Sequence, residues 1–545
     1  MNFAGRLAAW SRRIGSVLAT GTRWASRRVQ AEMTEMVGGP ARARVIFLFG
    51  AVLALSSADA ATVGAVAGQL EPDLHIGNAK IGLLASASLV VGALAVIPVG
   101  LLVDRVTRVK LLGGSIVVWS LAMFASGAAG SYSTLLYSRL ALGAVTATAG
   151  PAIASLTGDY FGARERGRVY GYILGGEIAG TALGFIVSGL IAAALSWRFA
   201  FFAIAIPGLF LARTIWRTLP EPRRGGQSRL QRGALDLFAA AAGEGGGAEA
   251  DDEDDTPQPA REEELAHEAA RRRGIEPDPK LVLREDAGRM PLGRAVRYVL
   301  AIPTNKLLII SSALGYFFLA GLNTFAIVFV RGHYHTSQAT ATLVLGVLVI
   351  GALIGTLVSG RLTDWMLRRG VINARVVVPA ACYIGAAILL VPGVLSTSLT
   401  SALWFDAGGA ALIAAANPPL DAGRLDIMPP GLWGRAESVR TLLRTLGQAL
   451  APLLFGAIAD LVAGFTPDQA PVGTKPGGVS AGTARGLEVS FLLMLIPLAA
   501  AGVILLKARR TYPRDVATAA AAAGPAPDEL APDAPLWRTD GRPVR

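Results

Sequence analysis

Cysteine is almost missing from this sequence, and charge is scarce. The one cysteine, Cys382, lies in an apolar stretch, so no intrachain disulfide can form and it reads as a small core residue. Charged residues make up 17% of the chain and hydrophobic ones 52%, whereas soluble domains carry roughly 25% charged residues. A Gly-Lys-Ser/Thr loop able to cradle phosphate is lacking, which argues against nucleotide hydrolysis. Paired histidines on one helix are lacking too; a membrane enzyme acting on lipids would need a nucleophile–base set or metal ligands at the interface. His333 and His335 flank Tyr334 without a supporting carboxylate and make a poor metal site. No enzyme activity, metal or cofactor is expected. The net charge of +12 comes without a basic-aromatic module, so nucleic acid is not the expected partner.

Long apolar runs are what the chain does have. A spanning helix needs about twenty mostly apolar residues. Such runs begin near Val45, Ala79, Leu111, Ser133, Val169 and Trp197, and again near Pro303, Ala339, Ala374, Leu399, Val439 and Leu487. The pattern predicts an all-α membrane protein of twelve transmembrane helices in two six-helix bundles, residues 44–218 and 301–510. Basic residues orient it. Arg105, Arg108 and Lys110 follow the second span, Arg164, Arg166 and Arg168 the fourth, and Arg368, Arg369 and Arg375 the eighth, while the stretches around Tyr132 and Thr397 carry none. Even-numbered loops, and with them both termini, are expected in the cytoplasm.

Three segments lie outside the bundles. Residues 1–43 place Phe3, Leu7, Trp10, Ile14 and Leu18 at helical spacing among arginines, which suits a helix on an anionic membrane surface; an organellar transit peptide is the other reading. Residues 219–300 hold Gly-rich and acidic runs and read as a flexible cytoplasmic linker, with a short helix around Glu262–Arg273. The Ala- and Pro-rich tail, 511–545, reads as disordered.

An internal repeat is the most specific signal. Gly100, Asp104, Arg105 and Arg108 follow the second span; Gly360, Asp364 and Arg368 follow the eighth, offset by 260 residues. A small glycine lets helices approach, and an acid beside a base can latch the halves on the cytoplasmic side, as expected of two repeats about an axis along the membrane normal. These loops resemble the signature of the major facilitator superfamily, with Thr107 where a glycine is usual. Within it, Asp59-Ala-Ala-Thr, Gly100 to Leu121, Ser138-Arg139-Leu-Ala-Leu-Gly143, Arg435, and Gly447 to Asp460 resemble the Spinster branch of lipid transporters. Three positions depart from that branch: Ala60 replaces an Arg, Thr146 a Glu and Gln448 an Asp.

Ionisable residues inside a bilayer are costly and mark function. Asp59, Arg139, Glu177 and Asp406 stand within spans. The resemblance makes the first and fourth helices neighbours, so Asp59 and Arg139 are the expected proton-coupling pair; a structural ion pair is the other reading. Glu177, on a glycine-rich face, is the further candidate for coupling. Asp406, Asn323 and Asn417 are candidates for the substrate cavity, and Phe317 and Phe318 for packing. The resemblance implies a monomeric secondary transporter, proton-coupled, exporting an amphipathic or lipid-like small molecule, among membrane lipids of a plasma membrane. Ala-, Gly- and Arg-rich usage points to a bacterial inner membrane. A broad-specificity drug/proton antiporter is the alternative, and a non-transporting sensor acting through its linker a third reading.

Overall fold

Backbone polar groups find no water in a bilayer core, so a spanning segment folds as a helix that satisfies its own N–H and C=O groups. The computed structural model describes residues 37–161, 166–222, 230, 237, 261–283, 290–429, 432–465 and 479–522. Twelve helical stretches among them are long and apolar enough to cross a membrane. They begin at Pro40, Asn78, Arg108, Tyr132, Gly171, Trp197, Pro303, Gln338, Ala374, Leu399, Val439 and Ala481, each within a few residues of expectation. Phe47, Leu94, Phe210, Leu357 and Ile496 stand exposed. Such a surface would aggregate in water; in a bilayer it meets lipid.

The chain divides into two units, Met1–Gln69 with Val90–Ala250, and Leu70–Leu89 with Asp251–Arg545. Residues 70–89 therefore group with the second bundle rather than the first. The first unit is built on α1 (Pro40–Leu74) up to Gln69, α2 (Asn78–Arg105) from Val90 on, α3 (Arg108–Gly127), α4 (Tyr132–Thr146), α5 (Ala149–Tyr160), α6 (Arg166–Ala194) and α7 (Trp197–Thr218). Gly176, Gly180 and Gly184 of α6 lie so close to Gly50, Ala54 and Ala58 of α1 that no side chain would fit. Small residues thus let two helices touch backbone to backbone, which replaces the hydrophobic drive that lipid removes.

The second unit holds α8 (Arg261–Arg272), α9 (Leu292–Ala301), α10 (Pro303–Tyr334), α11 (Gln338–Arg368), α12 (Ala374–Leu395), α13 (Leu399–Ala415), α14 (Asn417–Asp426), α15 (Trp433–Gly464), α16 (Ala481–Ala508) and α17 (Tyr512–Ala522). Phe318 is buried edge-on against Phe455 and Phe491, with centroids 6.2 and 6.4 Å away, so it packs the core. The fourth and tenth spans are each two helices, broken between Thr146 and Ala149 and at Ala416. Pro151 and Pro418 follow in the first turn of the second piece, where a missing N–H costs no hydrogen bond.

Two segments differ in part from the sequence expectation. Within 219–300, α8 forms where a short helix was expected around Glu262–Arg273, but α9 forms as well, and α8 buries Ala266, Ala269 and Ala270 against α14 and α17. His267 Nε2 lies 2.9 Å from the Asp426 carbonyl, and Arg273 donates to the Gly370 carbonyl at 2.5 Å. Within 511–545, α17 buries Tyr512, Asp515, Val516 and Ala519, an i, i+3, i+4, i+7 face hidden by the overall Ala and Pro content. The amphipathic segment at 1–36 and the acidic run at 251–255 lie outside the described residues.

Candidate functional site

Asp59 of α1 and Arg139 of α4 meet inside the first unit. Arg139 Nη1 donates to Asp59 Oδ1 at 2.5 Å, and both side chains are almost wholly buried. The position of α1 is fixed on both sides of this pair. Gly184 lets α6 press on Ala58, and Thr62 Oγ1 and Ser188 Oγ sit 2.8 Å apart one turn farther on. The sulfur of Met123 on α3 closes the third side, 3.9 Å from Arg139 Nη1. An ion pair held this dry is stable only while both charges persist; removing one strands the other.

One turn from Asp59 lies a cavity of about 30 Å³ lined by Ser56, Ser115, Trp119 and Thr146 among apolar residues. That volume suits a single water. Trp119 Nε1 is buried without a hydrogen-bond partner among the described residues, so a donor is ready there. The Thr146 hydroxyl donates to the Gly143 carbonyl at 3.1 Å. The cavity thus occupies the level at which the resembling branch carries its glutamate.

Glu177 does not join this group. It stands exposed on α6, and Thr181 Oγ1 donates to its backbone carbonyl at 3.0 Å. Asp406 lies in α13 against Gly393 of α12, half-buried, with no ion pair or hydrogen bond among the described residues. Tyr334 donates its hydroxyl to the Gly393 carbonyl at 3.2 Å beside it. Asn323 on α10 and Asn417 at the start of α14 are half-buried, and no hydrogen bond joins either to Asp406. The three residues expected to share a cavity are not brought into contact.

The repeated loops become more specific in the structure. Arg108, opening α3, pairs with Asp159 at the end of α5; its Nε donates to Glu221 Oε1 at 2.9 Å and its Nη1 to Ser155 Oγ at 2.9 Å. Arg375, at the start of α12, pairs with Asp426 at the end of α14, which also accepts from the Tyr512 hydroxyl. Both pairs are 51 residues apart in sequence. The counterpart of Arg108 is therefore Arg375, at an offset of 267, and not Arg368, which stands exposed. Arg105 is exposed and Asp364 half-buried, Gly360 has open space around it, and the surroundings of Gly100 and of the Asp104 side chain lie outside what is described.

Sequence reasoning did not single out Asp159, Glu221, Asp426 or Tyr512. An arginine followed at equal spacing by an aspartate in both halves was the available signal. Beyond the spans, burial pushes the Tyr512 phenol far above its usual range, with the neighbouring Asp426 charge adding to the shift. Burial also raises Asp515, although Thr304 N–H, which donates to it at 2.9 Å, opposes the rise.

Asp460, near the end of α15, caps α2 in the second unit. It accepts from the Asn78 and Ala79 backbone N–H groups at 2.9 and 2.8 Å and from Asn78 Nδ2 at 2.9 Å. A carboxylate there answers both the orphan donors and the positive end of the helix. Gly456 packs against the Asn78 backbone so closely that only glycine fits.

The profile of the Major Facilitator Superfamily matches residues 48–452. The fold aligns with a bacterial homologue of the human lysosomal transporter Spinster, solved inward-facing and unoccupied, at a TM-score of 0.66 and 20% identity over 87% of this chain and 98% of that one. A probable L-galactonate transporter of Escherichia coli is 27% identical over 143 residues, 26% of this chain and 32% of the relative. A probable 4-methylmuconolactone transporter of Cupriavidus pinatubonensis is 32% identical over 165 residues, 29% of this chain and 38% of the relative. The chain thus spans about a third of the length of the curated relatives it matches. Both relatives are named as probable transporters, and the match of the family profile over most of the chain identifies it as a member of the Major Facilitator Superfamily.

Proposed function

We propose that this transporter is proton-coupled, with Asp59 as the proton carrier and Arg139 as its counter-charge, and that it exports an amphipathic small molecule with both termini in the cytoplasm. The carrying observation is the buried 2.5 Å contact between Asp59 and Arg139. With Asp59 ionised the pair is neutral and dry. A proton on Asp59 leaves the Arg139 charge uncompensated in a low dielectric, a state costing several kcal/mol unless the helices move or another anion arrives. Proton binding and a change of helix arrangement are coupled in this way without any further chemistry. The cavity beside Ser56, Trp119 and Thr146 has room for a water that could hand the proton on. The gating role expected for the loops after the second and eighth spans passes here to the knots at Arg108 and Arg375.

The related proteins named above are described as moving L-galactonate and 4-methylmuconolactone, which supports a small oxygenated organic substrate. The second reading, a drug/proton antiporter, draws on Asp406, a half-buried carboxylate without a cationic partner among the described residues. Proteoliposomes bearing an imposed pH gradient test both readings. Wild-type protein should accumulate a lysolipid or an organic acid, and Asp59→Asn should lose the response to the gradient. Gradient-driven flux of a cationic drug alone would favour the antiporter, and undiminished driven flux in Asp59→Asn would reduce the pair to a structural one.

A further inference from the structure

We propose that Arg444 and Tyr316 of the second unit form the seat for an anionic group on the transported molecule, whose remainder is apolar. This rests on the transporter reading and deepens it to a substrate class. Arg444 lies on α15, eleven residues after its first residue, Trp433, and within the stretch of that helix apolar enough to span. Its guanidinium carbon stands 4.2 Å from the centroid of the Tyr316 ring on α10. Gly447, one turn on, faces Ala313 of α10 at ordinary van der Waals distance, so the two helices are neighbours at this level.

The electrostatics of Arg444 are incomplete. Its Nε is buried without a hydrogen-bond partner, and among the described residues no carboxylate comes within ion-pair distance of it. Asp421 is engaged elsewhere, by Arg424 at 2.6 Å and Arg440 at 3.5 Å. The aromatic face offsets part of the cost of a guanidinium within a span, but it satisfies none of the five N–H donors. Those donors lie in a planar fork matched to a carboxylate or phosphate. A cationic group would add to the charge already there. The site therefore selects an anion, and the apolar spans around it select an apolar body.

The test uses the full chain in nanodiscs of neutral phosphatidylcholine, with calorimetric binding of laurate, lauryl phosphate and dodecyltrimethylammonium. The expected result is binding of the two anions, weakened about tenfold or more by Arg444→Gln and partly kept by Arg444→Lys, with the ammonium unaffected by either change. Equal anion binding by wild type and Arg444→Gln overturns the proposal, as does binding of the ammonium alone or of no probe. Should Arg444→Gln fail to fold, Tyr316→Leu replaces it; unchanged anion affinity in that variant is equally contrary. Loss of laurate binding on adding phosphatidylglycerol to the disc assigns the anion to bilayer lipid and leaves the seat standing. Arg444-dependent binding with no flux in proteoliposomes under any gradient sinks the transport of these molecules and not the seat itself.

Discussion

Position 139 of the fourth span and position 406 of the tenth correspond at the same offset that relates Arg108 to Arg375 and Asp159 to Asp426. The framework pairs recur in both units with the same charges and the same 51-residue spacing. The mid-span positions do not. The first unit has Arg139 paired to Asp59, whereas the second has Asp406 alone among the described residues. The duplicated scaffold has thus kept its buried charges where they tie helix ends together and diverged where charge lies deep in a span. Function is expected where the repeat breaks its own symmetry.

The framework offers the largest effect. Asp426 is fully buried, while Asp159 and Glu221 keep some exposure. Arg375→Ala should therefore cost about 3–5 kcal/mol, the range for stranding a buried charge, and Arg108→Ala distinctly less, both read from unfolding in detergent. Equal losses would break the comparison. Next come the deep charges. Asp59→Asn should abolish gradient-driven accumulation, whereas Glu177→Gln and Asp406→Asn should keep most of it; loss in Asp406→Asn matching that in Asp59→Asn would make the halves equivalent after all. Smaller again is Tyr512→Phe, which removes a hydrogen bond to the Asp426 carboxylate and should cost about 1–3 kcal/mol.

The smallest effect is one of pH. Burial raises Asp515 above its ordinary value of 3.8, with Asp278 and Arg514 alongside. The folded chain then holds a proton there that the unfolded chain has released. Stability from this group is greatest below pH 3.8 and falls as pH climbs through the raised value. Asp515→Asn should flatten that slope in unfolding measured against pH.

The spans were legible because lipid imposes one rule on every spanning segment, and apolar length records it directly. The pairing of Asp59 with Arg139 was legible from resemblance and from the rarity of charge in spans. The offset of 260 was a partial truth. Asp104 and Asp364 align at that distance, but Asp364 lies eleven residues before Arg375 and Asp104 only four before Arg108, so the pairs that follow repeat at 267. Asp159 and Asp426 carried no mark in the sequence, since burial at a helix end is decided by tertiary packing rather than by neighbours in sequence. Helix α17 was hidden for the same reason: six buried positions carry it, and composition averages them away. Arg444 gave no sign because an arginine near the start of a span resembles one that orients it.

The measurement that bears most directly on the account separates exchange from drive. Asp59→Asn protein in pyranine-loaded proteoliposomes would be compared with wild type for substrate counterflow and for proton movement on substrate addition. The account predicts that counterflow persists in the variant while proton movement disappears. Proton movement at the wild-type rate, with Asp59 unable to ionise, would contradict it.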